Sequence, residues 1–204
     1  FDGEEMDAME GTTSQMSQEP SEENPWTTHS SEEIYENPWM RVVENQVTNP
    51  GGGTGIYGVV HFQNRAVGVI PIDDEDHTWL VGQYRYALES YEWEIPEGGA
   101  PRDEELIESA KRELLEEAGI EARDFELIIE GMQTSNSICD ERAWVFVARN
   151  LTYRPPQPEQ TEQLALRRVS LDEAFAMVDR GEIRCSLALA GLLKLRVMRF
   201  EGHA

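Results

Sequence analysis

Residues 94–120, EIPEGGAPRDEELIESAKRELLEEAGI, constrain the fold more than any other stretch of this chain. An extended piece ends at Pro96 and two glycines, and a helical pattern follows from about residue 103 to about 118. Nine of the 27 side chains are acidic. The segment therefore combines a tight backbone turn with a strongly anionic helix, and the rest of the chain has to accommodate both.

The ends of this helix are marked by residues that suit them. Asp103 is the expected N-cap, and Glu104 and Glu105 suit the positive first turn of the helix. Gly119 fits the left-handed position that follows a helix. The helix is therefore predicted to be a single, well-bounded element.

Three of its acidic residues share one stripe. Glu113, Glu116 and Glu117 have i, i+3 and i+4 spacing, so they lie on one side of a helix. The stripe borders an apolar face made by Leu106, Ile107, Ala110 and Leu114. Like charges at this spacing repel each other by a few tenths of a kcal/mol per pair. A solvated helix face is one interpretation, and a site for a hard divalent cation such as Mg²⁺ explains the clustering better.

Strands are predicted on both sides of the helix. The stretches that alternate or are rich in β-branched residues are TNPGGGTGIYGVVHF, which looks like a hairpin, AVGVIPI, TWLVGQYRY, FELIIEGMQ and RAWVFVARNL. Two further helices are expected at 171–180 and 186–200. This order predicts a mixed α/β (α+β) fold, with a sheet sandwiched between helices and antiparallel strands near the N-terminus.

Charge excludes one class of function. The formal net charge is -23. Residues 1–40 hold eleven acidic and no basic residues, which gives -11, and the remaining 29 acids and 17 bases give -12. Both parts should repel a polyanion, so no nucleic-acid partner is expected.

Segment composition predicts location and organisation. Residues 1–33 are polar and acidic and are predicted to be a disordered tail. Residues 34–64 form an N-terminal β-strand region, and 65–204 the main domain. No stretch suits a signal peptide or membrane span, and two distant cysteines suggest no disulfide framework or zinc site, so a cytoplasmic protein without a membrane partner is expected.

The helix and its surroundings resemble a known family. Gly98, five residues, Glu104, seven residues and then RELLEEAGI match the signature of the Nudix hydrolases at every fixed position. VGQYRY, and WEIPEGG directly before the helix, resemble the branch that hydrolyses ADP-ribose and nucleoside diphosphate sugars. The resemblance covers about residues 34–200 and implies a Nudix fold with Mg²⁺-dependent hydrolysis, Mn²⁺ being the alternative cation.

The resemblance also implies roles for individual residues. Glu113 and Glu117 would be the main metal ligands, assisted by Glu116 and the backbone carbonyl of Glu97. Arg112 would orient a glutamate, Glu104 would lie near the metals, and Gly98 would let the backbone approach them. Bound cations would then bridge and neutralise a diphosphate that the carboxylates alone would repel.

Two further residues are candidates outside the signature. In this branch a glutamate from a later loop activates the attacking water, and the loop SNSICDE makes Glu141 the candidate base; a solvated residue at a strand start is the alternative. Arg85 is the candidate contact to a phosphate or terminal sugar, with a surface ion pair as the alternative. Trp39, Trp79, Trp93 and Trp144 are expected in the core, with stacking on the nucleobase as the alternative that the sequence leaves open.

The resemblance leaves the substrate and assembly open. Many ADP-ribose pyrophosphatases have a Pro-Gly pair where this chain has Asn136 and Ser137, so ADP-ribose, GDP-mannose and similar nucleotide sugars remain candidates. A homodimer is expected, with the N-terminal strand region swapped between copies. The competing hypothesis is a non-catalytic interaction module that binds a nucleotide through a Nudix-shaped domain.

Overall fold

A computed structural model describes residues 22–156 and 163–202. In chain order the elements are β1 Thr27–Glu36, β2 Met40–Thr48, β3 Thr54–Phe62, β4 Arg65–Pro71, β5 His77–Arg85, β6 Ser90–Glu94, β7 Glu97–Ala100, α1 Leu106–Ala118, β8 Ile120–Gln133, β9 Arg142–Tyr153, β10 Ala165–Ser170, α2 Leu171–Asp179 and α3 Ser186–Phe200. A short 3₁₀ turn, Tyr86–Leu88, separates β5 from β6.

The N-terminal strands form a sheet of their own. β1, β2 and β3 are antiparallel in that order. The predicted hairpin joins β2 to β3, and the side chain of Asn49 closes its turn by accepting the N–H groups of Gly51 and Gly53. β1 begins at Thr27, so the tail expected through residue 33 is wrong at its C-terminal end. Polar residues 27–33 are ordered because they pair with β2 rather than because they bury a core. Residues 1–21 lie outside the described residues.

The mixed α/β fold expected from the sequence is confirmed. A four-stranded sheet has the order β7-β4-β9-β8, in which β4 and β9 are parallel and the other pairs antiparallel. A second sheet has the order β10-β5-β6. Along β4, Val67 and Val69 pack with α1, whereas Ile70 packs with α2 and α3. The period of two along a strand thus buries both faces of the sheet.

Helix α1 begins later than expected. Its first residue is Leu106 and the preceding Glu105 occupies the cap without a side-chain hydrogen bond, so Asp103 is not the N-cap. Its C-terminal end is as predicted, with Gly119 in the left-handed region at φ 65°. The predicted apolar face is correct at Ala110 and Leu114, which are buried, but Ile107 is exposed.

The C-terminal helices agree with the prediction. Helices α2 and α3 match the ranges expected at 171–180 and 186–200 to within a residue. Ser170 caps α2 by accepting the N–H of Glu173. Within residues 22–156 and 163–202, no helix is both long and apolar enough to cross a membrane.

Candidate active site

Helix α1 turns two carboxylates towards the sheet. Glu113 and Glu117 are one helical turn apart, and their side chains are on the same face as buried Ala110 and Leu114. Only 9% of Glu113 and 4% of Glu117 is exposed. Because burying a carboxylate is costly unless it is paired or binds a cation, their surroundings should supply compensation.

Strand β7 supplies part of that compensation. The backbone N–H of Glu97 donates to Oε2 of Glu117 at 2.9 Å. At Gly98, the next residue, a Cβ atom would lie 2.2–2.3 Å from the carboxylate of Glu113. The Glu113 carboxylate therefore occupies the space that a side chain at position 98 would fill. Helix α1 thus contacts β7 at both Glu97 and Gly98.

Arg112 ties the acidic stripe to the same strand. Its Nη1 donates to Glu113 at 2.8 Å and to Glu116 at 3.1 Å, and its Nη2 donates to the carbonyl of Gly99 at 2.7 Å. Burial lowers the pKa of the Arg112 guanidinium, but the two carboxylates outweigh burial and raise it. This fixed cation offsets the repulsion within the stripe.

Glu104 lies just before the first residue of α1 and close to Arg112. Its carboxylate accepts a hydrogen bond from the hydroxyl of Ser109 at 2.6 Å and lies 3.8 Å from Nη2 of Arg112. Glu104 is thus attached to the stripe through Arg112.

An open cleft of about 800 Å³ runs past β7. Its lining comes from distant parts of the chain and includes Trp39, Arg85, Glu97, Gly98, Glu141 and Cys185. Three of the residues predicted for the site, Glu97, Gly98 and Glu141, therefore share one cavity with Arg85. A cleft of this volume is large enough for a nucleotide-sized ligand.

Arg85 is engaged within the protein. Its Nε and Nη2 bind both carboxylate oxygens of Glu94, the shorter contact being 2.5 Å, and its Nη2 lies 3.3 Å from Glu97. The contact of Arg85 with a phosphate or sugar stays a prediction. They do place the guanidinium in the cleft wall, partly exposed, rather than in a pair on the outer surface.

Glu97 has an unusual environment for a carboxylate. Burial, followed by the negative charge of Glu94, raises its pKa to about 7. The Cys185 thiol donates to both of its carboxylate oxygens at 3.2 Å. Burial and Glu97 in turn raise the pKa of Cys185 to about 12, so the thiol is protonated.

Glu94 and Cys185 are site residues that sequence analysis missed. Together with Glu97 they place one potential ligand atom each within 4.8 Å of the others. Cys185 lies 88 positions from Glu97 in the chain, so no local spacing relates them. Glu94 could have been noticed from its place in WEIPEGG, at the end of β6 and three positions before β7 begins.

Glu141 lies in the cleft as predicted, whereas Trp39 is not in the core. Glu141 is half-buried at the start of β9, lines the cleft and is close enough for its charge to raise the pKa of Glu97. Trp39 was expected in the core, but 71% of it is exposed at the cleft. It lies in the short connection between β1 and β2. Trp79 is buried as expected, and Trp93 and Trp144 are half-buried.

Comparison with known proteins identifies the family. The model of the NUDIX domain matches residues 62–186, and the model described as the nucleoside diphosphate sugar hydrolase N-terminal domain matches residues 26–60. The chain belongs to the Nudix hydrolases. It is therefore a pyrophosphohydrolase of that family, and α1 with β7 is the part that carries the Nudix signature.

Several relatives match this Nudix chain over most of its length. An ADP-ribose pyrophosphatase of Mycobacterium tuberculosis (strain ATCC 25618 / H37Rv) is 31% identical over 86% of each chain. An ADP-ribose pyrophosphatase of Bacillus subtilis (strain 168) is 30% identical over 76% of this chain and 84% of its own. A crystal structure of an ADP compounds hydrolase superposes with a TM-score of 0.79, covering 91% of this chain and all of the other at 22% identity, and shows the same fold.

The residues present suit the divalent metal on which Nudix hydrolases generally depend. Glu113 and Glu117 offer hard carboxylate oxygens, the type of ligand that Mg²⁺ and Mn²⁺ take. Because Gly98 has no side chain, the β7 backbone lies close against the Glu113 carboxylate. The donor set of α1 and β7 therefore fits a hard divalent cation.

Proposed function

We propose that the protein hydrolyses the pyrophosphate bond of a nucleoside diphosphate sugar, giving a nucleoside monophosphate and a sugar phosphate, with Mg²⁺ as the cofactor and Mn²⁺ as a substitute. The observation that carries this proposal is the meeting of Glu113 and Glu117 with the backbone at Glu97 and Gly98, on one side of a cleft that also contains Glu141. ADP-ribose is the first candidate, because the relatives named above include ADP-ribose pyrophosphatases. GDP-mannose and similar nucleotide sugars are the alternatives.

The proposed roles follow the contacts. Glu113 and Glu117 would hold the metal with the carbonyl of Glu97, and Glu116 would assist. Arg112 holds Glu113 and Glu116 in place. When bound, the cation neutralises the diphosphate and makes a water molecule more acidic. Glu141 takes the proton of the attacking water, for which its half-buried position in the same cleft is suitable. Arg85 contacts a phosphate or the terminal sugar from the cleft wall.

A panel assay tests this function. Nucleotide sugars, including ADP-ribose and GDP-mannose, are incubated with the protein and Mg²⁺, and a phosphatase that acts only on the monoester products releases phosphate for detection. We expect turnover of at least one nucleotide sugar, and a loss of several orders of magnitude in Glu117→Gln at unchanged circular dichroism. Turnover of none of them, or a Glu117→Gln variant as fast as wild type, would contradict the proposal.

A homodimer is part of the proposal. Apolar side chains are exposed on the N-terminal sheet and its connections, namely Trp26, Ile34, Tyr35, Trp39 and Ile56, and a second copy of the same sheet would cover them. β1 is an edge strand whose residues are all exposed, which suits exchange or pairing between copies. Light scattering should give twice the chain mass of 23.2 kDa. A single-chain mass at all concentrations would contradict it.

A further inference from the structure

The N-terminal sheet holds the loop that precedes Glu141. The backbone N–H of Val60, in β3, donates to the carbonyl of Ile138 at 2.8 Å, and the N–H of Asp140 donates back to the carbonyl of Val60 at 3.2 Å. Val60 and Cys139 thereby form a parallel bridge. The loop is thus attached to β3 as a very short extra strand.

Side chains reinforce this attachment at both ends of the bridge. The carboxylate of Asp140 accepts the N–H of Phe62 at 3.0 Å and lies 2.8 Å from Nδ1 of His61. The hydroxyl of Tyr57 donates to the carbonyl of Ser137 at 2.6 Å. Partial burial raises the pKa of Asp140, but His61, the N–H of Phe62 and the charge of Arg102 outweigh burial and lower it. Asp140 is therefore an anion held by β3.

Asp140 and Glu141 are consecutive residues, but they contact different parts of the protein. Asp140 binds β3, whereas Glu141 lines the cleft. A bond that fixes one residue of an extended backbone restricts where its neighbour can point. The placement of the Glu141 carboxylate therefore depends on contacts made by the residue before it.

We propose that Asp140, supported by Tyr57, is a positioning residue that holds Glu141 at the reacting water. The inference rests on the proposed role of Glu141 as the base and extends it, since nothing in the Nudix signature includes Asp140, Tyr57 or β3. Because the Asp140 pair is exposed, it adds little to global stability. Its loss should therefore change the rate without unfolding the protein.

Removal of the anchor tests the proposal. In Asp140→Ala we expect kcat to fall by about ten- to a hundredfold, because small misplacement of a catalytic group has effects of this size, with KM within about twofold. Asp140→Asn should recover most of the rate, since its amide oxygen can still accept from Phe62. Tyr57→Phe, which removes only the Ser137 contact, should lose about threefold by the same reasoning. Asp179→Ala, which removes an exposed ion pair with Arg196, is the matched control and should match wild type.

A double-mutant cycle separates positioning from a general structural role. If Asp140 acts through Glu141, then Asp140→Ala should cost nothing further in a Glu141→Gln background. Equal losses in both backgrounds, or a rise in KM with kcat unchanged, would overturn the inference. The same result from Tyr57→Phe would overturn it even if Asp140→Ala failed to fold.

The cycle also separates failure of the inference from failure of the function. A Glu141→Gln variant as active as wild type would remove the base and the positioning inference together, while nucleotide-sugar hydrolysis stood. Absence of hydrolysis in wild type would instead remove the proposed function. Melting temperatures of all variants within a few degrees of wild type are the expected accompaniment.

Discussion

At Gly98 an added methyl group would occupy space that the Glu113 carboxylate now fills. Since the clashing atoms are the end of a flexible side chain, the fold can adapt, but the carboxylate must move. We expect Gly98→Ala to lower kcat/KM by at least about tenfold, as for other small displacements of site groups, with little change in melting temperature. Gly55→Ala, where no atom lies within 4 Å of the new methyl, is the control, and an equal loss there would refute this explanation.

Glu97 makes the stability of the metal-free protein depend on pH. Its pKa is about 7 in the folded state against an ordinary 4.5, so folding favours the protonated form. The resulting stabilisation is complete below about pH 4.5 and is lost as the pH rises through about 7. In EDTA, Glu97→Gln should therefore exceed wild type in stability above pH 7, by up to about 3 kcal/mol, and the gap should close towards pH 4.5.

Urea unfolding across this pH range measures the effect. Glu126→Gln removes an exposed carboxylate and is the matched control, for which no such closing gap is expected. Parallel pH curves for Glu97→Gln and wild type would contradict the assigned pKa.

Site residues that share helix α1 could be predicted from the sequence, whereas contacts between residues of different elements could not. The spacing of Glu113 and Glu117 depends only on helical geometry, so their common face could be read directly. Cys185 reaches Glu97 only because α3 packs on the sheet at β4, the strand that pairs with β7. Arg85 meets Glu94 only because β5 pairs with β6. Such tertiary contacts have no short-range signal.

At the level of single elements, the turn after α1 is the most constrained. Gly119 has φ 65°, and a Cβ there would lie 2.2 Å from the carbonyl oxygen of Arg154. Gly181, after α2, has a similar φ of 71° but nothing within 4 Å. Gly181→Ala should therefore cost only the left-handed strain, about 1 to 2 kcal/mol, whereas Gly119→Ala should cost ~3 kcal/mol or more because backbone must also move. Equal costs in urea unfolding would show that the clash is relieved.

Element boundaries were predictable where one residue type decides them. Gly119 marks the end of α1 because few other residues adopt its backbone angles. The start is ambiguous, since Asp103, Glu104 and Glu105 all suit a helix N-terminus and the sequence does not rank them. Residues 27–33 of β1 were missed because they are polar and exposed, and their pairing with β2 leaves no hydrophobic pattern to detect.

For the molecule as a whole, the formal charge of -23 makes cations stabilising in two ways. Any salt screens the general repulsion, whereas a bound divalent ion also joins Glu113 and Glu117. We expect saturating Mg²⁺ to raise the melting temperature beyond NaCl of equal ionic strength, corresponding to about 2.7 kcal/mol at a hundred times Kd. Glu117→Gln should lose most of this excess. Thermal scans in which Mg²⁺ and NaCl gave the same shift would argue against a specific site.

The cleft takes its walls from chain positions as far apart as Trp39 and Leu187. A ribosome delivers the N-terminal sheet early and the helix that begins at Ser186 late, so the acidic residues of α1 emerge before the opposite wall exists. Until α3 has been translated and has packed on the sheet, the cleft lacks the residues that the start of α3 contributes. We therefore expect hydrolysis to begin only after α3 has folded against the rest of the domain.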